Sequence, residues 1–137
     1  MADFLRMSEA TALGLHAAVL AAGEQEAITV STIAAELSAS EAHLSKVLQT
    51  LAKSGLLKSR RGPNGGYVLT KPASEVTLLE VYEALEGPIR SDGCLFSEPV
   101  CNRVQCIFGD VVGRLRAEIC ETMRSTTLEQ ASSKQRR

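Results

Sequence analysis

The sequence predicts a mainly α chain with a small β-wing: a winged helix-turn-helix followed by a long C-terminal dimerisation helix. Three observations carry that expectation. Two apolar-periodic segments meet at the short stretch Leu37–Ser40. Two brief apolar runs flank Arg61-Gly62-Pro63-Asn64-Gly65-Gly66-Tyr67, a hairpin turn of the longer, Gly-containing type. Apolar residues then recur at threes and fours from Val104 to Met123, the spacing of one helix face.

The first element covers Met7 to Ala22, where Met7, Leu13, Leu15, Val19 and Leu20 stand among alanines with no proline. Its thin polar face implies burial on more than one side, a partner subunit being one possible cover. Gly23-Glu24-Gln25-Glu26 breaks it. A short helix follows at about 31–37, with Ile33, Ala34 and Leu37 at core spacing. Ser38-Ala39-Ser40-Glu41 reads as a capping box, in which a Ser hydroxyl takes an N–H and Glu41 reaches back. The helix it opens, about 39–54, carries Leu44, Val47, Leu48 and Leu51 on one face and has Gly55 as its stop. Two helices joined this tightly have helix-turn-helix form.

Leu56–Arg60 and Tyr67–Thr70 read as strands, and Lys71-Pro72 ends the hairpin. Thr77-Leu78-Leu79-Glu80 is a second capping box, opening a helix that stops before Gly87-Pro88. Residues 91–103 are rich in Gly, Pro, Ser, Asp and Cys without periodicity, and read as a loop. Val104, Ile107, Phe108, Val111, Val112, Leu115, Ile119 and Met123 line the last helix. Such a seam is too apolar to face water alone, so a homodimer is expected. From Glu129 the chain is polar and reads as a frayed tail. The expected organisation is a winged domain at 1–86, a cysteine loop at 87–103, a pairing helix at 104–128 and a tail at 129–137.

With 137 residues, 45% hydrophobic and 23% charged, the composition is that of one ordinary globular domain. No apolar run approaches the roughly 20 residues of a membrane helix, and no secretory signal is recognisable, so a cytoplasmic protein without a membrane partner is expected. In a reducing cytosol the four cysteines point to free thiols, metal ligation or redox chemistry rather than a disulfide framework. The net charge of −1 conceals an uneven distribution. Between Ser40 and Lys71, Lys46, Lys53, Lys58, Arg60, Arg61 and Lys71 face Glu41 alone, leaving that stretch five units positive. A local patch is what phosphates respond to.

In a winged helix-turn-helix the second helix enters the major groove and the wing meets backbone or minor groove. The groove-facing candidates are Ser40, Glu41, His43, Ser45, Lys46 and Gln49, with Arg60, Arg61, Gly65 and Tyr67 from the wing. Glu, Ser and Gln can read base edges, and Lys can meet guanine or phosphate. The plain alternative is a solvated face on a small helical domain.

Cys94, Cys101 and Cys106 lie within thirteen residues. Their spacing lacks the C-x2-C knuckles of structural zinc sites and suits thiolates wrapped around a larger object, such as an iron–sulfur cluster. Thiolates also prefer zinc and Cu(I), so residue type leaves zinc, thiol–disulfide chemistry and adventitious cysteines open. Cys120 sits beside Ile119 in the last helix and reads as a small buried hydrophobe. No catalytic triad, paired carboxylates or phosphate loop emerges, so an enzyme is not expected. A redox or metal carrier using the same scaffold is the second class, weighed against by the basic stretch.

Arg61-Gly62-Pro63-Asn64-Gly65-Gly66-Tyr67 resembles the R-G-x-x-G-G-Y wing of the Rrf-two family of bacterial regulators. Leu44-Ser45-Lys46-Val47-Leu48-Gln49-Thr50-Leu51 is similar to that family's recognition helix, and the likeness runs from about Met7 to Leu128. The resemblance implies a homodimer that binds a double-stranded operator, acts as a repressor or activator, and holds an iron–sulfur cluster on Cys94, Cys101 and Cys106. It also implies a fourth ligand. The His of IscR-like members falls on Gly109, and the carboxylate of NsrR-like and RsrR-like members falls on Ala12. Leu15-His16 matches the Leu-His of RsrR-like members, so His16, donated across the dimer, is the first candidate. Glu9, Asp110, Glu98 or a small exogenous ligand are its rivals. Three Cys favour [4Fe-4S]; a His ligand leans towards [2Fe-2S].

Overall fold

The computed structural model describes residues 7–89, 94, 95, 101 and 105–135. In chain order the elements are α1 (Glu9–Ala22), α2 (Val30–Leu37), α3 (Glu41–Lys53), β1 (Leu57–Arg60), β2 (Gly66–Leu69), a 3-10 turn (Ala73–Glu75), α4 (Leu78–Glu86), α5 (Val111–Ser125) and α6 (Leu128–Gln135). This is the mainly helical fold with a two-stranded antiparallel wing that the sequence predicts.

Local chemistry explains the boundaries. Ser8, Thr29, Ser40 and Thr77 cap α1, α2, α3 and α4, each hydroxyl accepting a first-turn N–H. The cap of α3 is Ser40, which accepts from the His43 N–H at 3.1 Å, and not Ser38. Ser38 adopts φ 52°, closing α2 in the left-handed region. The Ala39 N–H reaches back to the Ala34 carbonyl at 3.0 Å. A residue so used cannot take the extended conformation of an N-cap.

Helix α1 packs against α3, α4 and α6. Its small residues permit this: a Cβ on Gly14 would stand 2.3 Å from Leu85 Cδ1. Ala17, Ala18 and Ala21 are buried on the same helix. Around them, Ile33, Leu44, Leu48, Leu51, Leu57, Val76, Val81 and Leu128 complete the core. Each buried Leu or Ile contributes roughly 1.5–3 kcal/mol.

The C-terminal part departs from the sequence reading in two places. The helix expected to pair subunits begins at Val111 rather than Val104; Val104 itself lies outside the described residues. Gly109, at φ 61° with its N–H on the Cys106 carbonyl at 3.0 Å, turns the chain where an α-helix would continue. The expected tail is not frayed over 129–135. It forms α6, anchored by fully buried Leu128 and by Ser132, which lies against Gly23, where a Cβ would come within 2.8 Å of its hydroxyl. Thr77 and Thr127 pair as an isolated bridge, so the chain end is stitched to the entry of α4. Cover for α1 therefore comes from its own chain as well. Arg136 and Arg137 lie outside the described residues.

Candidate nucleic-acid interface and cysteine loop

With Leu44, Val47, Leu48 and Leu51 buried, α3 turns its other face outward. Glu41, Lys46 and Gln49 are exposed there, and His43 and Ser45 are half-buried. Ala42, Thr50 and Lys53 share that exposed face. The sequence reading passed over them, although helical spacing from Lys46 and Gln49 would have found them. Ser40 is spent as the cap, and the N-terminus it fixes presents backbone N–H groups of the kind that meet phosphate.

Arg60 and Arg61 are exposed at the end of β1. Among the described residues no carboxylate pairs with Lys46, Arg60 or Arg61, whereas Lys71 is 3.4 Å from Glu80. The turn between the strands is tight: a Cβ on Gly65 would stand 2.6 Å from the Arg60 carbonyl oxygen. Tyr67 exchanges backbone hydrogen bonds with Ile28 at 2.8 and 3.0 Å. Its half-buried side chain packs on the core. Tyr67 thus roots the wing, and Gly65 shapes it.

Replacing Arg60 and Arg61 together by Ala is expected to flatten the salt dependence of DNA binding by roughly 0.9 log units for each phosphate the wing no longer neutralises. Anisotropy titrations across a salt series read that slope directly. An unchanged slope would remove the wing from the interface.

Cys94 meets α5 at a defined point. Arg116 is only 3% exposed, and its Nη1 donates to the Cys94 carbonyl oxygen at 2.6 Å. Cys94 is half-buried; Cys101 and Cys106 are exposed. The Phe108 N–H donates to Cys106 Sγ at 3.4 Å, which orients that sulfur beside the start of α5. Cys120 is half-buried rather than buried, and its sulfur accepts from Arg124 Nη2 at 3.5 Å. The donor set suits a soft metal or cluster in kind. In placement it does not form a socket: among the described residues no group of three or more His, Cys, Asp or Glu stands so as to hold a metal ion. His16 is exposed on α1, and its Nδ1–H donates to the Ala12 carbonyl at 2.7 Å, which leaves Nε2 outward. Glu9 and Asp110 are exposed, and Glu98 lies outside the described residues.

A second polar cluster went unread in the sequence. The Ser8 hydroxyl donates to Glu86 Oε1 at 2.8 Å, and buried Thr11 donates to the same oxygen. These bonds tie the start of α1 to the end of α4.

The model of the Rrf2 family, described as an iron-dependent transcriptional regulator, matches residues 7–134. The chain belongs to the Rrf2 family. Among its relatives, the Bacillus subtilis regulator CymR is 34% identical over 105 residues, 77% of this chain and 72% of CymR. The B. subtilis protein YwgB, a putative HTH-type regulator by name, is 41% identical over 63 residues, spanning 46% of this chain and 40% of YwgB.

Among solved structures, B. subtilis CymR, the global cysteine regulator of that organism, superposes with a TM-score of 0.80 at 29% identity, covering 96% of this chain and 99% of CymR. The oxidised form of Staphylococcus aureus CymR gives 0.71 at 27% identity, covering 93% and 96%. T. potens IscR shares the fold at 0.74 and 22% identity, over 96% and 89%. Members of this Rrf2 family are transcription regulators, not enzymes. No described helix is long and apolar enough to cross a membrane.

Proposed function

We propose that this chain is a cytoplasmic, dimeric transcription regulator, acting as a repressor, whose grip on a double-stranded operator follows the state of Cys94, Cys101 and Cys106. The observation that carries the DNA-binding part is the outward face of α3 beside the wing, where Lys46, Arg60 and Arg61 have no carboxylate partner among the described residues. Cations left uncommitted within the fold are available to phosphates. Ser40, Glu41, His43, Ser45 and Gln49 serve readout at the major groove, while Gly65 and Tyr67 set the wing's height.

Dimerisation rests on the outer face of α5. Val111 and Leu115 are exposed there, beside a groove of about 350 Å³ lined by Leu115, Glu118, Ile119, Thr122 and Met123. A second copy of the same helix is the occupant that such a face suits, and two winged heads then read two operator half-sites.

The group the three thiolates suit is an iron–sulfur cluster, with the partner subunit's His16 as the fourth donor. Support for His16 is its exposure and the hydrogen bond that holds Nδ1 on a backbone carbonyl, the kind of second contact that orients metal-bound imidazoles. Absorption of anaerobically purified protein, with iron and sulfide assays, tests this reading. A coloured protein that bleaches on Cys94→Ala, Cys101→Ala or Cys106→Ala, but not on Cys120→Ala, is the expected result. The second reading is a thiol-based sensor. It is favoured by the exposure of Cys101 and Cys106 and by the ungathered ligands. A colourless, iron-free protein with reactive thiols would select it, and stoichiometric zinc would select a zinc site.

A further inference from the structure

We propose that Arg116 is the positioning residue of Cys94, and that it links the state of that thiol to the helix proposed to pair the subunits. The link rests on the sensor reading above; the positioning role does not. Arginine is almost never this deeply buried without partners, because a desolvated guanidinium needs its donors satisfied. Here the charge is turned inward on α5 at the same face as buried Val112 and Met123. Its Nη1 holds the Cys94 carbonyl at 2.6 Å.

The hydrogen bond is to main chain, so it fixes where the Cys94 residue sits whatever its sulfur binds. One position earlier on the same helix, Leu115 is 40% exposed on the pairing face. Neighbouring residues of one rigid helix thus carry the thiol loop on one side and the subunit interface on the other. A thiol event that displaces the Cys94 main chain breaks or strains this hydrogen bond, or carries α5 with it. The first forfeits a hydrogen bond to a buried charged group, a loss that resists displacement of Cys94. The second moves α5 and alters the relation of the two reading heads. This is linkage through a physical connection between two sites.

The test uses the full-length, reduced, metal-free protein as wild type, Arg116→Met and Arg116→Lys. Carbamidomethylation rates at Cys94 and Cys106 are followed by peptide mass spectrometry. Operator affinity is measured before and after modification, on a duplex selected by the wild type. Arg116→Met should raise the Cys94 rate about tenfold, the scale of losing one charge-assisted hydrogen bond, with Cys106 unchanged. It should also bring the ratio of modified to unmodified affinity close to one. Arg116→Lys, which keeps the charge without the fork, should fall between, and it carries the test if the Met variant does not fold.

Wild-type Cys94 reactivity in both variants would overturn the positioning role. A wild-type ratio of affinities in a variant with a loosened Cys94 would overturn the link. If modification leaves even the wild type's affinity unchanged, the sensor reading fails and the link with it, while the Cys94 rate still decides the positioning role.

Discussion

Leu115→Asp should give a folded monomer that binds operator about 10²- to 10⁴-fold more weakly than wild type, the range set by losing a tethered second head. Leu115 is 40% exposed on the outer face of α5, so an aspartate there keeps its water in the single chain and costs the fold little. In a twofold pairing of that face the substitution enters twice. Two carboxylates then lose hydration on a face that carries exposed Val111. Light scattering reads the mass and anisotropy reads the affinity. A dimer that persists at micromolar concentration would move the subunit interface away from α5.

Gly66→Ala should destabilise the protein by about 2–4 kcal/mol, combining backbone strain with loss of the bonds it disturbs. Gly66 has φ 146°, and a Cβ there would stand 2.3 Å from the Ile28 carbonyl oxygen. That oxygen accepts the Tyr67 N–H at 2.8 Å. A methyl group therefore cannot enter without prying the wing from the segment before α2. Thermal melts should fall by on the order of 10 °C. Gly87→Ala, with positive φ but open space around it, should lose less. Equal melting of wild type and Gly66→Ala would show that the wing is not rooted through Ile28.

Much of this architecture is written in local patterns. Leu44, Val47, Leu48 and Leu51 repeat at helical spacing, and the glycines between β1 and β2 announce a turn. The misreadings have physical causes. Ile107 and Phe108 continue the three-and-four spacing of α5, but one left-handed glycine, Gly109, takes them out of the helix. The apolar seam is split as well: Val112 and Met123 face inward, while Val111 and Leu115 face out, a division no linear pattern records. Helix α6 was hidden because one Leu and small residues suffice to bury its inner face when Gly23 lies opposite. At the candidate site, cysteine spacing proposed a set of donors, but among the described residues they are not gathered into a metal-binding group. Arg116 sits at the i+4 position from Val112 and seven before Met123. A cation on an apolar face is legible in hindsight, but its acceptor is a backbone carbonyl, which has no sequence signature.

Helix α6 has a consequence for genetics. It closes over the turn of α1 around Val19, Leu20 and Gly23 and contributes Leu128 to the core, so the two ends of the described chain finish one structure. If two copies pair as proposed, a shortened version that still associates but cannot act would spoil each pair it enters. A stop codon before Leu128 would leave every such fragment with one side of its alanine-rich first helix uncovered and an unstitched entry to α4. Fragments of that kind are substrates for proteases before they are competitors for partners. Premature stops here should therefore be recessive, and dominant alleles should come from full-length chains altered at the outward face of α3.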